Sequence, residues 1–247
     1  MRQFWNWAKN DAGAEALRID GYIAEQSWFA DDVTPAAFRA ELAARSGDLT
    51  VWINSGGGEC FAAAQIYNLL KEHPGKITIK IDALAASAAS VIAMAGDEVL
   101  MSPVAQLMLH NPATDIFGEV ADLERGIEML GEIKESLINA YQAKTGLSRA
   151  KIAKMMDAET WLNAKAAVKL GFADGLLYGD ADDLEEVVFD RHTPAVAVAA
   201  AFRKKLKPIE KGAGYKLSGG EFVPERLSVP ITAAYERLNL ISGGQNA

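Results

Sequence analysis

Two serines and one histidine are the residues of this chain most able to support nucleophilic chemistry. The segment Ala83-Leu84-Ala85-Ala86-Ser87-Ala88-Ala89-Ser90 sets a serine among alanines, directly after an apolar strand and at the start of a helix. Small neighbours leave room for a substrate carbonyl, and the amides that open a helix favour a developing oxyanion. Ser87 is better placed than Ser90, which lies a turn deeper. A helix N-cap is the other reading of Ser87. The chain has three histidines from which a base could come. His73 precedes Pro74 at a helix end, and His192 lies in a compositionally different tail. His110 closes the apolar run Leu107-Met108-Leu109 and so sits at a strand's carboxyl edge, where open α/β sheets place their sites.

A third element is Asn54-Ser55-Gly56-Gly57-Gly58, after the strand Leu49 to Ile53 and before a helix. Consecutive glycines let backbone come close to a ligand and aim its N–H groups outward, as a phosphate cradle or an oxyanion hole. A tight turn with no ligand is equally compatible. No Lys-Ser or Lys-Thr follows, which disfavours a Walker-type loop. The dinucleotide fingerprint also fails at its third glycine. The Gly-x-Ser-x-Gly elbow of α/β-hydrolases is absent.

The elements that must carry these groups alternate. After Leu17–Ile19, a helix begins at Thr34-Pro35. The strand 49–53, a helix from Cys60 to about Glu72 and the strand 77–81 follow. The helix at Ser87 leads to short strands at 98–101 and 107–109. β-Branched, continuously apolar strands separated by helices predict an α/β fold with a largely parallel sheet. A long helix then runs from about 118 to 144. Its apolar stripe is Val120, Leu123, Ile127, Leu130, Ile133, Leu137 and Tyr141, with Gly146 as a left-handed stop and Ser148 as a new cap. At about 40 Å it lies across the sheet or projects as an arm toward another subunit. Helices at 148–156 and 163–170 and a strand at Leu176-Leu177 complete the pattern.

Taken in order, Asn54 to Gly58, Ala85 to Ala89 leading to Ala95-Gly96, Met108-Leu109-His110-Asn111-Pro112, and Trp161-Leu162-Asn163-Ala164 with Ala167 and Gly171 to Asp174 resemble the ClpP (caseinolytic) serine peptidase family over roughly residues 16 to 178. The resemblance implies the ClpP/crotonase-like α/β fold of repeated β-β-α or βαβ units, with a long helical arm. It implies Ser87 as nucleophile, His110 as base, and Gly57, Gly58 and the amide of Ala88 as the oxyanion hole. Asp157, shortly before Trp161, is the matching acid across a gap, with Asp115 and Glu159 as rivals. Gly56 stands where the family usually has proline and Ala88 where methionine is common. With the gap and the long tail, these departures are closer in character to phage and prophage ClpP-like proteases, whose implied role is capsid maturation during head assembly. A degradative subunit served by an unfolding AAA+ ATPase is the alternative. A crotonase-type acyl-CoA enzyme and an inactive ring-forming scaffold are two more. A serine–lysine signal-peptide peptidase fits poorly, since Lys80 alone among the lysines is near a plausible site.

Three domains are expected: an N-terminal arm (1–13) carrying Trp5 and Trp7, a peptidase domain (14–179), and a partly mobile C-terminal appendage (180–247) with an acidic cluster, an Ala/Val run and a basic stretch. The chain is 50% hydrophobic and 23% charged, with net charge −8, which argues against nucleic-acid or membrane partners. One cysteine, Cys60, excludes an intramolecular disulfide and suits a reducing compartment. Neither a secretory signal nor a spanning segment is apparent, so a cytoplasmic protein is expected. Neither a cofactor nor a metal site is expected. Its partners would be protein or peptide substrates (capsid or scaffold protein among them) and other copies of itself in a ring.

Overall fold

The computed structural model describes residues 5–9, 15–24 and 35–189. The tail from residue 190, including His192 and most of the expected appendage, and the Thr34 cap lie outside these residues. The strands are β1 (Trp5–Lys9), β2 (Glu15–Ile23), β3 (Leu49–Gly58), β4 (Ile77–Ala86), β5 (Glu98–Met101), β6 (Gln106–Leu109), β7 (Thr160–Asn163), β8 (Gly175–Leu176) and β9 (Val188–Phe189). The helices are α1 (Pro35–Ala43), α2 (Cys60–Lys71), α3 (Ala88–Ala93), α4 (Val120–Thr145), α5 (Arg149–Asp157) and α6 (Ala164–Lys169).

The nine described strands join one sheet, in the order β1-β2-β3-β4-β6-β7-β9, with β5 branching from β4 and β8 pairing with β5. The pairs β2-β3, β3-β4, β4-β5, β4-β6 and β5-β8 are parallel, and β1, β7 and β9 are antiparallel to their neighbours. This is the expected α/β fold with a largely parallel sheet. Strand β4 divides its outer edge between two partners. Its first half pairs with β5, Thr78 opposite Glu98, and its second half with β6, Ala86 opposite Met108. The fork brings the end of β6 beside the end of β4, which positions the site.

The strands are not apolar on both faces. Leu49, Val51, Ile53, Ile77, Ile79 and Ile81 are buried, whereas Thr50, Trp52, Thr78 and Lys80 between them are only half-buried. This period-two pattern marks a sheet with one core face and one wetter face. On the wetter face the Arg18 guanidinium and the Lys80 ammonium lie 5.7 and 5.3 Å from the Trp52 ring centroid. The glycines 56–58 also differ from expectation: they continue β3, with Tyr22 opposite Gly57 and Ile23 opposite Gly58.

Within the stretch 1–13 expected as an arm, Trp5–Lys9 form an edge strand of the sheet. Trp5 is buried edge-on against Phe38 of α1, centroids 5.2 Å apart. The indole N–H groups of Trp5 and Trp7 both donate to Glu41 Oε2, at 3.0 and 2.6 Å. These tryptophans therefore serve the chain's own core.

Helix α4 divides into two halves. It starts at a capping box of Glu119 and Asp122 and ends at Gly146 with φ 67°. Leu137, Ile138, Ala140 and Tyr141 in its second half are buried, while Val120, Leu123, Ile127 and Met129 in its first half are exposed. Neither expected placement describes the whole helix, because only its second half docks on the body. Among the described residues no helix is long and apolar enough to cross a membrane.

Candidate active site

Ser87 is the first residue past β4, and its backbone is unusual. It has φ 54° and ψ −126°, a region that costs a non-glycine residue about 1–3 kcal/mol unless its surroundings impose it. The surroundings do so here. The Ser87 N–H donates to Met108 O at 2.9 Å, and Ser87 O accepts from Ser90 N at 3.0 Å. The peptide of the serine is thus pinned from β6 on one side and α3 on the other.

The side chain is free of the capping role open to it from sequence. Ser87 precedes α3 but makes no side-chain cap bond. Its Oγ lies 2.7 Å from His110 Nε2 instead. Register explains the meeting: β4 and β6 run parallel with Ala86 opposite Met108, so both chains leave the sheet at the same edge. Both groups are half-buried. With a neutral imidazole carrying its proton on Nδ1, Ser87 donates to Nε2, the arrangement needed to activate a hydroxyl.

Gly57 packs against this pair. It has φ 102°, and a Cβ added to it would lie 2.7 Å from Ser87 Cβ, 2.8 Å from Ala86 O and 3.0 Å from Ala88 N. Only glycine allows β3 to come so close to Ser87 and the Ala88 amide. Gly58, at φ 153°, would drive a Cβ to 2.0 Å from Ile23 O. The Gly57 N–H itself donates to Ser55 Oγ at 3.1 Å, and that hydroxyl donates to Gly21 O at 2.5 Å. Buried Ser55 thereby ties the glycine segment to the end of β2.

Asp157 ends α5. Its Oδ1 accepts from Asn111 Nδ2 at 2.9 Å and from Lys134 Nζ at 2.5 Å. Among the described residues it makes no hydrogen bond to His110, so the fold brings Asp157 to the neighbour of the histidine and not to the imidazole. The Lys134 ammonium, and after it the Asn111 amide, hold its carboxyl below the usual carboxylate range. Of its rivals, Asp115 is exposed. Glu159, at φ 52°, accepts from Trp161 Nε1 at 3.5 Å. The expectation that Lys80 alone is near the chemistry needs correction. Lys80 covers Trp52 on the sheet, and Lys134 reaches Asp157 from one helix away.

Ser55, Asn111, Lys134 and Tyr141 are structurally tied to the site but were not singled out for it by sequence reasoning, whereas Ser90, weighed there as a second nucleophile, spends its hydroxyl on Ser87 O and Tyr141 OH. Tyr141 carried the clearest signal: a tyrosine on a stripe of Leu and Ile brings a hydroxyl into the core, and such a hydroxyl needs a partner. No group of three or more His, Cys, Asp or Glu side chains among the described residues could hold a metal ion.

The chain matches the family model described as Clp protease over residues 19–179, more than half its length. It is similar to the ATP-dependent Clp protease proteolytic subunit 1 of Chlamydia muridarum, 30% identical over 142 residues that cover 56% of this chain and 74% of that protein. It is also similar to the proteolytic subunit of Porphyromonas gingivalis, 27% identical over 154 residues (60% of this chain, 69% of that protein). Proteolytic subunit 2 of Thermobifida fusca is 29% identical over 140 residues (56% and 69%). The match spans the strained serine, the histidine bonded to it and the glycine strand packed on both, and the chain belongs to the Clp protease family of serine peptidases.

Proposed function

We propose that this protein is a serine endopeptidase that cleaves peptide bonds through an acyl-enzyme on Ser87. The observation that carries the reading is the 2.7 Å contact between Ser87 Oγ and His110 Nε2. His110 takes the hydroxyl proton as Oγ attacks the scissile carbonyl carbon. The tetrahedral oxyanion is received by the amides of Ala88 and Gly58, while Gly57 clears the space, its own N–H being held by Ser55. His110 then protonates the leaving amine, and a water activated by the same imidazole releases the acid. Asp157 is the acid that the resemblance implies; it is bonded to Asn111, the residue after His110, and the role requires it to exchange that bond for His110 Nδ1. The reaction needs no cofactor.

The expected substrates are protein chains in the cytoplasm, and the expected assembly is a ring with its sites facing inward. The departures at Gly56 and Ala88 and the long tail support a head-maturation protease acting on capsid or scaffold protein. The names of the similar proteins support the second reading, a degradative subunit fed by an AAA+ ATPase. Co-expression of wild type and Ser87→Ala with a candidate capsid protein, followed by mass spectrometry of the products, tests the proposal. Discrete products that vanish in Ser87→Ala are expected. Capsid cleavage that persists in Ser87→Ala contradicts the mechanism, and cleavage of a tagged unfolded protein only with an ATPase present decides for the second reading.

A further inference from the structure

A buried hydroxyl chain runs from α4 to the backbone of Ser87. Tyr141 OH lies 2.8 Å from Ser90 Oγ, and Ser90 Oγ donates to Ser87 O at 2.7 Å. Because the serine proton is committed to Ser87 O, the phenol must be the donor to Ser90. Burial pushes the Tyr141 phenol well above its ordinary value, so it remains a donor at every pH at which a peptidase would be assayed. Ser90 and Tyr141 are both buried.

We propose that Tyr141 and Ser90 are positioning residues that hold Ser87 in its strained backbone conformation and so keep Oγ aimed at His110. The proposal rests on Ser87 being the nucleophile. Ser87 O accepts twice from one residue, from Ser90 N at 3.0 Å and Ser90 Oγ at 2.7 Å. The amide bond alone is what any first helical turn provides. The hydroxyl bond is extra, and the phenol behind it polarises the serine and makes it a stronger donor. Relaxing Ser87 out of φ 54° would turn its carbonyl away from both donors, so the hydroxyl chain opposes that relaxation. It also joins the site to the docked half of α4, so that the packing of this helix is felt at the nucleophile.

The chain can be separated from simple stability because its two members leave different residues behind. Tyr141→Phe removes the phenol and strands nothing. Ser90→Ala leaves a buried phenol with no acceptor, which destabilises the fold. The double variant removes both groups. The experiment measures the rate of fluorophosphonate labelling at Ser87, kcat and KM for a peptide, and Tm, in the wild type and the three variants. Expected is a fall of roughly tenfold in labelling rate and kcat in every variant, the size of one lost buried hydrogen bond, with KM unchanged. Tm should fall in Ser90→Ala and recover in the double variant while the rate stays low. A wild-type rate in Tyr141→Phe, or a rate that recovers together with Tm, overturns the proposal. Wild-type labelling mapped to a residue other than Ser87 overturns the nucleophile assignment instead, and this proposal with it.

Discussion

Replacing Gly57 by alanine should disable the site, while the same change one residue earlier should do little. The added methyl at Gly57 would sit 2.7 Å from Ser87 Cβ, 2.8 Å from Ala86 O and 3.0 Å from Ala88 N. Two of these are backbone atoms that cannot swing aside. The residue is also at φ 102°, where a β-carbon costs about 1–2 kcal/mol. Overpacking adds about 1–3 kcal/mol, so the sum is about 2–5 kcal/mol. For a domain of this size that is a drop in Tm of roughly 5–15 °C. If β3 instead moves away to relieve the clash, the Gly58 amide moves with it. Losing one oxyanion donor then costs about 10²–10³ in rate. At Gly56 an added Cβ has nothing within 4 Å, so Gly56→Ala should match wild type in both Tm and labelling rate. Thermal unfolding and fluorophosphonate labelling of the two variants check this. A Gly57→Ala protein with wild-type Tm and wild-type rate would refute the close packing of β3 on Ser87.

Three further outcomes are expected. Asp157→Asn should lower kcat toward the factor of about 10⁴ lost when the acid of a serine-protease triad is amidated, whereas Asp115→Asn and Glu159→Gln should not; peptide hydrolysis by the three variants checks it, and the reverse order moves the acid elsewhere. Because Lys134 and Asn111 keep Asp157 ionised below its ordinary range, the pair's contribution to stability is full above the unfolded carboxyl value of about 3.9 and disappears as pH falls through the lowered folded value. Lys134→Met should move the Asp157 titration, followed by carboxyl ¹³C NMR, up toward that ordinary value. Its cost at neutral pH should be no more than about 1 kcal/mol, since the carboxylate is well exposed. For assembly, Val120→Asp with Ile127→Asp is a cleaner test than changes at Leu130 and Ile133, which are half-buried, Ile133 against the chain's own core. Val120 and Ile127 are 70% and 72% exposed. Light scattering should show the wild type as a closed ring and the double variant as smaller species, and a wild-type monomer at micromolar concentration with full activity removes the ring from the account.

Much of the site was legible because it depends on short segments at strand ends. The apolar runs before Ser87 and His110 fixed which edge of the sheet each leaves, and the parallel register of β4 and β6 did the rest. The glycine segment was legible as a close approach, though not as a continuation of β3, because three glycines carry no apolar alternation to read. The strands were read as continuously apolar although Thr50, Thr78 and Lys80 alternate with Leu, Val and Ile in the sequence, so the period-two burial was legible there and was passed over. Contacts that join distant segments had no local signal. Nothing around Lys134 or Asn111 announces that both bond to Asp157, since that depends on how α4 and α5 pack. The stripe of α4 was visible throughout its length, but periodicity does not tell which half the body covers.

The proposed mechanism requires Ser87 as nucleophile and His110 as its base. Labelling of the purified wild type with a fluorophosphonate, followed by peptide mapping, tests it most directly when run beside Ser87→Ala and His110→Ala. A single adduct on Ser87 is expected in the wild type, none in Ser87→Ala, and labelling slowed by orders of magnitude in His110→Ala. An adduct on another serine, or labelling of His110→Ala at the wild-type rate, would contradict it.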